Sequence, residues 1–252
     1  MKFPILLPNI FNHPFTYESD IKLKIGDFVE VPFGKTKITG VVWDDFEKNS
    51  SKKFKVKKII SKLDIPSLKK STLDFLNWFS EYNIVPKGMA LKLVLISSKD
   101  LKSTDQKFYD SLIFNRHDNL INLTNDQNKS LQQINSSNEK FNVHVLQGTT
   151  GSGKTFVYFE ALKNILNKGL QGLILLPEIG LTSQFEKKFI EFFKFKPAIW
   201  HSGISKKNKK IIWNGIIRGK ISVVIGARSS LFLPFKNLGL IIVDEELSLI
   251  HI

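Results

Sequence analysis

The chain contains no cysteine, which excludes a disulfide framework and a cysteine-bound zinc site and agrees with a reducing compartment. Long apolar runs are also missing: none approaches the roughly 20 residues that a membrane-spanning helix needs. Lys2, Pro4 and Pro8 interrupt the opening stretch where a signal peptide would carry its apolar segment. A cytoplasmic protein with no membrane partner is therefore expected. Acidic residues are scarce beside basic ones, 23 against 37, and the formal charge is +14. Such an excess calls for an anionic partner, most often nucleic acid, although Lys, Asn, Ile and Phe abound throughout, as an A+T-rich genome would produce. Hydrophobic residues make up 42% of the 252, enough for two domains with a core each.

Against this background one stretch organises the rest. Gly148-Thr149-Thr150-Gly151-Ser152-Gly153-Lys154-Thr155 fits the phosphate-loop pattern G-x-x-x-x-G-K-[ST]. It follows an apolar segment (Val143, Val145, Leu146), read as a strand over 143–147, and it precedes a helical run from Lys154 to Asn167. The glycines allow backbone N–H groups to turn inward, and the helix N-terminus adds positive potential, so the loop can cradle polyphosphate. Lys154 would then reach the β- and γ-phosphates, and the Thr155 hydroxyl would ligate Mg²⁺. The alternative is a glycine-rich strand-to-helix turn without a ligand.

Upstream, residues 3–60 read as short strands with turn punctuation, the clearest being a hairpin in which Phe28 to Val31 alternates, Pro32-Phe33-Gly34-Lys35 turns and Ile38 to Trp43 returns. Strands at this spacing predict a small β-barrel or sandwich. The lysines between Lys48 and Lys58 are either a solvated hairpin tip or a phosphate-facing edge. Ser71 to Tyr82 predicts a short buried helix, capped by Ser71 or Thr72, with its aromatics in the core. Residues 97–122 are weakly patterned and read as a linker with room for one short strand or helix. Downstream, a helix opens at Leu123, and apolar strands then alternate with helices: strands over 173–176, 198–200, 221–225 and 240–243, helices over 181–193 and 206–218. That alternation predicts a parallel sheet covered on both faces, with chemistry at the carboxyl ends of its strands.

The strand Leu240 to Val243 ends in Asp244-Glu245. Asp244 would hold Mg²⁺, and Glu245 would orient and deprotonate the water that attacks the γ-phosphate. Thr182 after Pro177-Glu178, and Arg228 and Ser229 after Gly226, suit gripping of a nucleic-acid backbone without base readout. His201 is the least defined, since a lone loop histidine is commonly solvated or structural.

Taken together, GTTGSGKTFVY, LLPEIGLTSQF, HSG and IGARSSLFLPFKNLGLIIVDEE resemble the first motor lobe of the bacterial primosomal replication-restart helicases, within helicase superfamily 2. GDFVEVPFGKTKITGVV resembles that family's 3′-end-binding β-domain. The resemblance implies three segments: a β-barrel-like 3′-end DNA-binding domain over 1–96, a linker over 97–122, and a RecA-like phosphate-loop ATPase lobe over 123–252. It implies an ATP- and Mg²⁺-dependent 3′→5′ DNA helicase that acts on stalled forks with single-strand binding protein and other primosome proteins. Phe15, Gly34 and Lys57 fall where the family lines a pocket for the leading-strand 3′ end, and Gln127 falls where related helicases read adenine. Rival readings are another superfamily 2 DNA translocase, such as a fork-reversal enzyme, and a binding module that keeps a degenerate nucleotide fold.

Departures from the family are also expected to matter. Thr16 replaces an acidic residue in the 3′-end pocket, residues 97–122 are too few for the family's winged-helix domain, and Leu247 stands where the acid box ends in His. After Glu246 the similarity stops, and Leu247 to Ile252 reads as foreign, as translated adapter sequence would be. The family's zinc-binding cysteines and second motor lobe do not appear. The expectation is a truncated lobe that binds nucleotide weakly and does not unwind DNA alone.

Overall fold

A computed structural model describes residues 1–44, 56–95, 106–115, 122–136, 141–149, 151–177 and 183–244. The chain forms two compact units, one of residues 1–105, 204–218 and 231–236, the other of 106–203, 219–230 and 237–252.

The first unit is built on strands β1 (Lys2–Leu6), β2 (Phe15–Glu18), β3 (Phe28–Phe33), β4 (Thr36–Val42), β5 (Lys57–Lys58) and β6 (Ser61–Lys62), in the sheet order β5-β2-β1-β4-β3-β6. Because β5 and β6 are separated only by Ile59 and Ile60, one stretch of chain pairs with both ends of this sheet. The Ile59 N–H donates to the Glu18 carbonyl at 2.8 Å and the Ile60 N–H to the Glu30 carbonyl at 2.9 Å, so the sheet closes into a small barrel. Closure removes the free edges on which an open sheet aggregates. Alternation puts Ile5, Tyr17, Val29, Val31 and Val42 in one core, all buried. The β3–β4 turn passes through Gly34 at φ +60°, where a side chain would be strained.

Helix α1 (Lys70–Tyr82) follows the barrel and α2 (Lys87–Val94) follows α1. Two expectations fail at α1. The helix starts at Lys70 with no side-chain cap, where the Leu68 N–H donates to the Gly26 carbonyl at 2.9 Å and fixes the entry of the chain. Its aromatics are not all core: Trp78 is 54% exposed and Tyr82 73%, each stacked on its neighbour along the helix. Leu73 and Leu76 occupy the buried face instead. Helix α7 (Lys206–Arg218), predicted at those bounds, belongs by contacts to this first unit. Its Trp213 is buried against Phe28 and donates its indole N–H to the Val94 carbonyl at 2.7 Å.

The second unit contains α3 (Gln106–Asp110), α4 (Asn125–Ser136), α5 (Lys154–Asn167) and α6 (Ser183–Phe193), and a parallel sheet of β7 (Gln171–Leu175), β8 (Ala198–Trp200), β9 (Val223–Gly226) and β10 (Leu238–Val243) in the order β10-β7-β9-β8. Its core is dense in phenylalanine, with Phe159 meeting the rings of Phe189, Phe192 and Phe193. The described part of the expected linker packs against this unit: Tyr109 and Leu112 are buried, Phe114 lies against the same core, and its N–H donates to Ser222 Oγ at 2.8 Å. Gly172 lets β7 approach α5, since a Cβ there would sit 2.2 Å from Leu162 Cδ1. Gly172→Val should therefore overpack this unit and destabilise it by about 1–3 kcal/mol, as read from the midpoint of urea unfolding.

The strand expected over 143–147 is absent. Residues 141–149 lie outside any strand, and Phe141, Val143 and Val145 are 92%, 76% and 90% exposed. Alternation marks a potential strand face, but a strand also needs a partner ladder, and among the described residues none is supplied. Coverage on both faces also fails at β10, an end strand of its sheet, where Ile241 and Val243 are about half exposed, 45% and 50%.

Candidate functional site

The glycine loop leads directly into α5. Gly151 and Gly153 take φ of +81° and +80°, left-handed values that other residues reach only with strain, and Gly153 is the N-cap of the helix. Lys154 folds back over the loop: its ammonium donates to the carbonyls of Gly148 at 2.7 Å and Thr149 at 2.9 Å. The cation thus stands at the mouth of the loop, beside the N-terminus of a 14-residue helix. Both features favour an anion there.

Gln127 is drawn into the same place. Thr124 and Gln127 form a reciprocal cap at the start of α4, with the Thr124 N–H donating to Gln127 Oε1 at 2.9 Å and the Gln127 N–H donating to Thr124 Oγ1 at 3.4 Å. Gln127 Nε2 then donates to the Ser152 carbonyl at 3.0 Å. A Cβ on Gly153 would lie 2.4 Å from that nitrogen. Gln127 therefore abuts the loop, with its amide engaged by the cap on one side and by Ser152 on the other.

The parallel register assembles the rest. Val243 is paired with Leu175, Leu175 with Gly226 and Gly226 with Trp200. The residues that follow these positions, Asp244, Leu176, Ala227 and His201, consequently emerge in one row at the carboxyl edge of the sheet. The Asp244 N–H donates to the Leu175 carbonyl at 3.1 Å, and Tyr158 Oη donates to Asp244 Oδ2 at 2.6 Å. Tyr158 is on α5, so this bond ties the acid strand to the helix that begins at the phosphate loop. Arg228 and Ser229 lie exposed in a 3₁₀ turn over Arg228–Phe232, just past β9. Gly226 is required there, because a Cβ would come within 2.7 Å of the Trp200 carbonyl oxygen. His201 accepts the Gly203 N–H on Nδ1 at 3.1 Å, a local turn contact.

The residues present fit Mg²⁺ and ATP: a nest of left-handed glycines, a lysine cation at its mouth, and the hydroxyl and carboxylate oxygens of Thr155 and Asp244, which are hard donors. Thr150, Thr182 and Glu245, all expected at this site, lie outside the described residues, as do Leu247 to Ile252 and the lysines from Lys48 to Lys55. Among the described residues no group of three or more His, Cys, Asp or Glu could hold a metal ion. Among them, too, no helix is long and apolar enough to cross a membrane.

In the barrel, Phe15 sits at the start of β2 within a group of rings, 5.1 Å from those of Phe11 and His13 and 5.7 Å from that of Phe33. Gly34 follows Phe33 in the β3–β4 turn, and Lys57 lies on β5 opposite Tyr17 of β2. Phe11, His13 and Phe33 complete this ring group and were not singled out in the sequence. Their only signal is aromatic type close to turns, which is equally a core signal.

Residues 124–249 match the DEAD/DEAH box helicase family, and residues 4–96 match the PriA 3′DNA-binding domain (3′BD). The chain belongs to the DEAD/DEAH box helicase family. Within that class its relatives are replication restart proteins. It is 40% identical over 247 residues to the replication restart protein PriA of Rickettsia conorii and 42% identical over 247 residues to that of Rickettsia felis, in each case across 96% of this chain and 37% of the relative. The Helicobacter pylori replication restart protein PriA is 30% identical over 241 residues, 92% of this chain and 35% of the relative. The chain thus spans a little over one third of the length of these relatives. A mainly-β domain followed by an α/β helicase domain is the order expected from the sequence.

Proposed function

We propose that this chain supplies the 3′-end-binding domain and the ATP-binding lobe of a DNA helicase that restarts replication at stalled forks, moving 3′→5′ in the cytoplasm. The observation that carries the motor half of this reading is the Tyr158–Asp244 hydrogen bond, which brings the acid strand against the phosphate-loop helix. In this reading the loop N–H groups from Gly148 to Thr155 hold the β- and γ-phosphates. Lys154 exchanges its carbonyl partners for phosphate oxygens. Thr155 and Asp244 hold Mg²⁺, which when bound neutralises phosphate charge, and Glu245 takes the proton of the attacking water. Gln127 retains a second amide proton and a second lone pair, which can meet the adenine edge while the first pair remains bonded. Arg228, Ser229 and Thr182 grip the DNA backbone. Single-strand binding protein and primosome proteins are the expected partners, as the resemblance to primosomal restart helicases implies.

The DNA half of the reading assigns the leading-strand 3′ end to the ring group around Phe15, with Gly34 and Lys57 beside it. Fluorescence anisotropy of the 252-residue chain on two partial duplexes tests it, one ending at the junction in a free 3′-OH and the other in a 3′-phosphate. The 3′-OH duplex should bind more tightly, and Phe15→Ala should weaken that binding about tenfold by loss of aromatic stacking. Equal and steeply salt-dependent binding to both duplexes would reduce the barrel to a basic surface.

A further inference from the structure

Tyr158 lies three residues after Thr155 on α5, and neighbours at that spacing share a helix face. Its ring is buried in the second unit's core at 8% exposure, a place that phenylalanine would fill equally well. The hydroxyl is what such a core does not need, because burying it without a partner costs free energy. It donates to Asp244 Oδ2 at 2.6 Å, on a residue 86 positions away in sequence. A carboxylate is a stronger acceptor than a neutral oxygen and carries about four lone-pair sites. Asp244 is consequently held through its main chain by the Leu175 carbonyl and through its side chain by Tyr158.

We propose that Tyr158 is a positioning residue for the metal-binding acid. Its hydroxyl sets the plane of the Asp244 carboxylate relative to α5, so that Mg²⁺ meets an acid already oriented beside the helix that carries Thr155. The inference rests on the reading of Asp244 as the Mg²⁺ acid. Outer partners of this kind orient metal ligands, and their loss weakens metal affinity while leaving the ligands in place.

The test is fluorescent ATP-analogue binding to the 252-residue chain, titrated in EDTA and then with rising Mg²⁺, for the unmodified protein, Tyr158→Phe and Asp244→Asn. Tyr158→Phe should bind the analogue as well as the unmodified chain in EDTA but need about tenfold more Mg²⁺ for half-maximal tightening. Asp244→Asn should lose the tightening. A Tyr158→Phe variant with an unchanged Mg²⁺ midpoint, whatever its thermal stability, means that Tyr158 only fills the core, and the inference falls alone. An Asp244→Asn variant that keeps the Mg²⁺ response removes the acid reading and the inference with it. Should Tyr158→Phe fail to fold, 4-methylphenylalanine at 158 fills the hydroxyl's space without donating, and the same two midpoints decide.

Discussion

Lys154→Ala is expected to weaken ATP binding about 100-fold while leaving the fold intact. Charge-assisted hydrogen bonds contribute about 1.5–3 kcal/mol each, and loss of about 3 kcal/mol is a little over two decades in affinity. The lysine's present partners, the carbonyls of Gly148 and Thr149, are exposed and return to water when the side chain is removed. The substitution should therefore act on the bound state and not on stability. Isothermal titration with Mg·ATP beside a thermal melt of the free protein separates the two. Affinity within threefold of the unmodified chain would make the glycine loop a turn without a ligand.

Asp27→Ala is expected to destabilise the barrel by about 3 kcal/mol. The Asp27 side chain is fully buried and Lys62, its ion-pair partner at 2.6 Å, is 36% exposed. Ser67 Oγ donates to Asp27 Oδ1 at 2.6 Å and the Lys24 N–H to Oδ2 at 2.9 Å. One carboxylate therefore stitches the β2–β3 connection, β6 and the approach to α1. Breaking a buried pair by removing one partner costs about 3–5 kcal/mol, and the partly exposed lysine, which regains water, puts this case at the lower end. For a domain of this size that is a drop of roughly 10–20 °C in Tm.

The same carboxylate sets an acid limit. Burial alone would raise its pKa, but hydrogen bonds from Lys62, Ser67 and the Lys24 N–H, with the charge of Lys62, outweigh it and hold Asp27 below the usual carboxylate range. A group with a depressed folded pKa stabilises fully above its unfolded value and loses that contribution as pH falls through the folded one. Unfolding midpoints should thus fall as pH drops below about 4, and Asp27→Asn should flatten that decline. A variant that tracks the unmodified chain through this range would exclude Asp27 as the titrating group.

Legibility divides by range of interaction. Helices α5 and α7 were readable to the residue, because apolar spacing, the glycine loop before Lys154 and Gly169 beyond Asn167 are all local signals. The β3–β4 hairpin was readable for the same reason, from alternation around a glycine turn. The phosphate loop and the acid strand could be named from pattern, and the sequence by itself determined which residue types stand ready for phosphate, metal and 3′ end. Which of them meet was a tertiary matter. Nothing local in Lys57 to Lys62 tells that this stretch joins two ends of a sheet, nor in Tyr158 that its hydroxyl is aimed at Asp244. Alternation at Val143 and Val145 offered a strand that found no ladder among the described residues, and the stacked rings of Trp78 and Tyr82 face solvent although their spacing suits a core. The reason is physical: periodicity fixes the face a residue presents, whereas the partner for that face is chosen by whichever distant segment can satisfy its backbone and fill its volume.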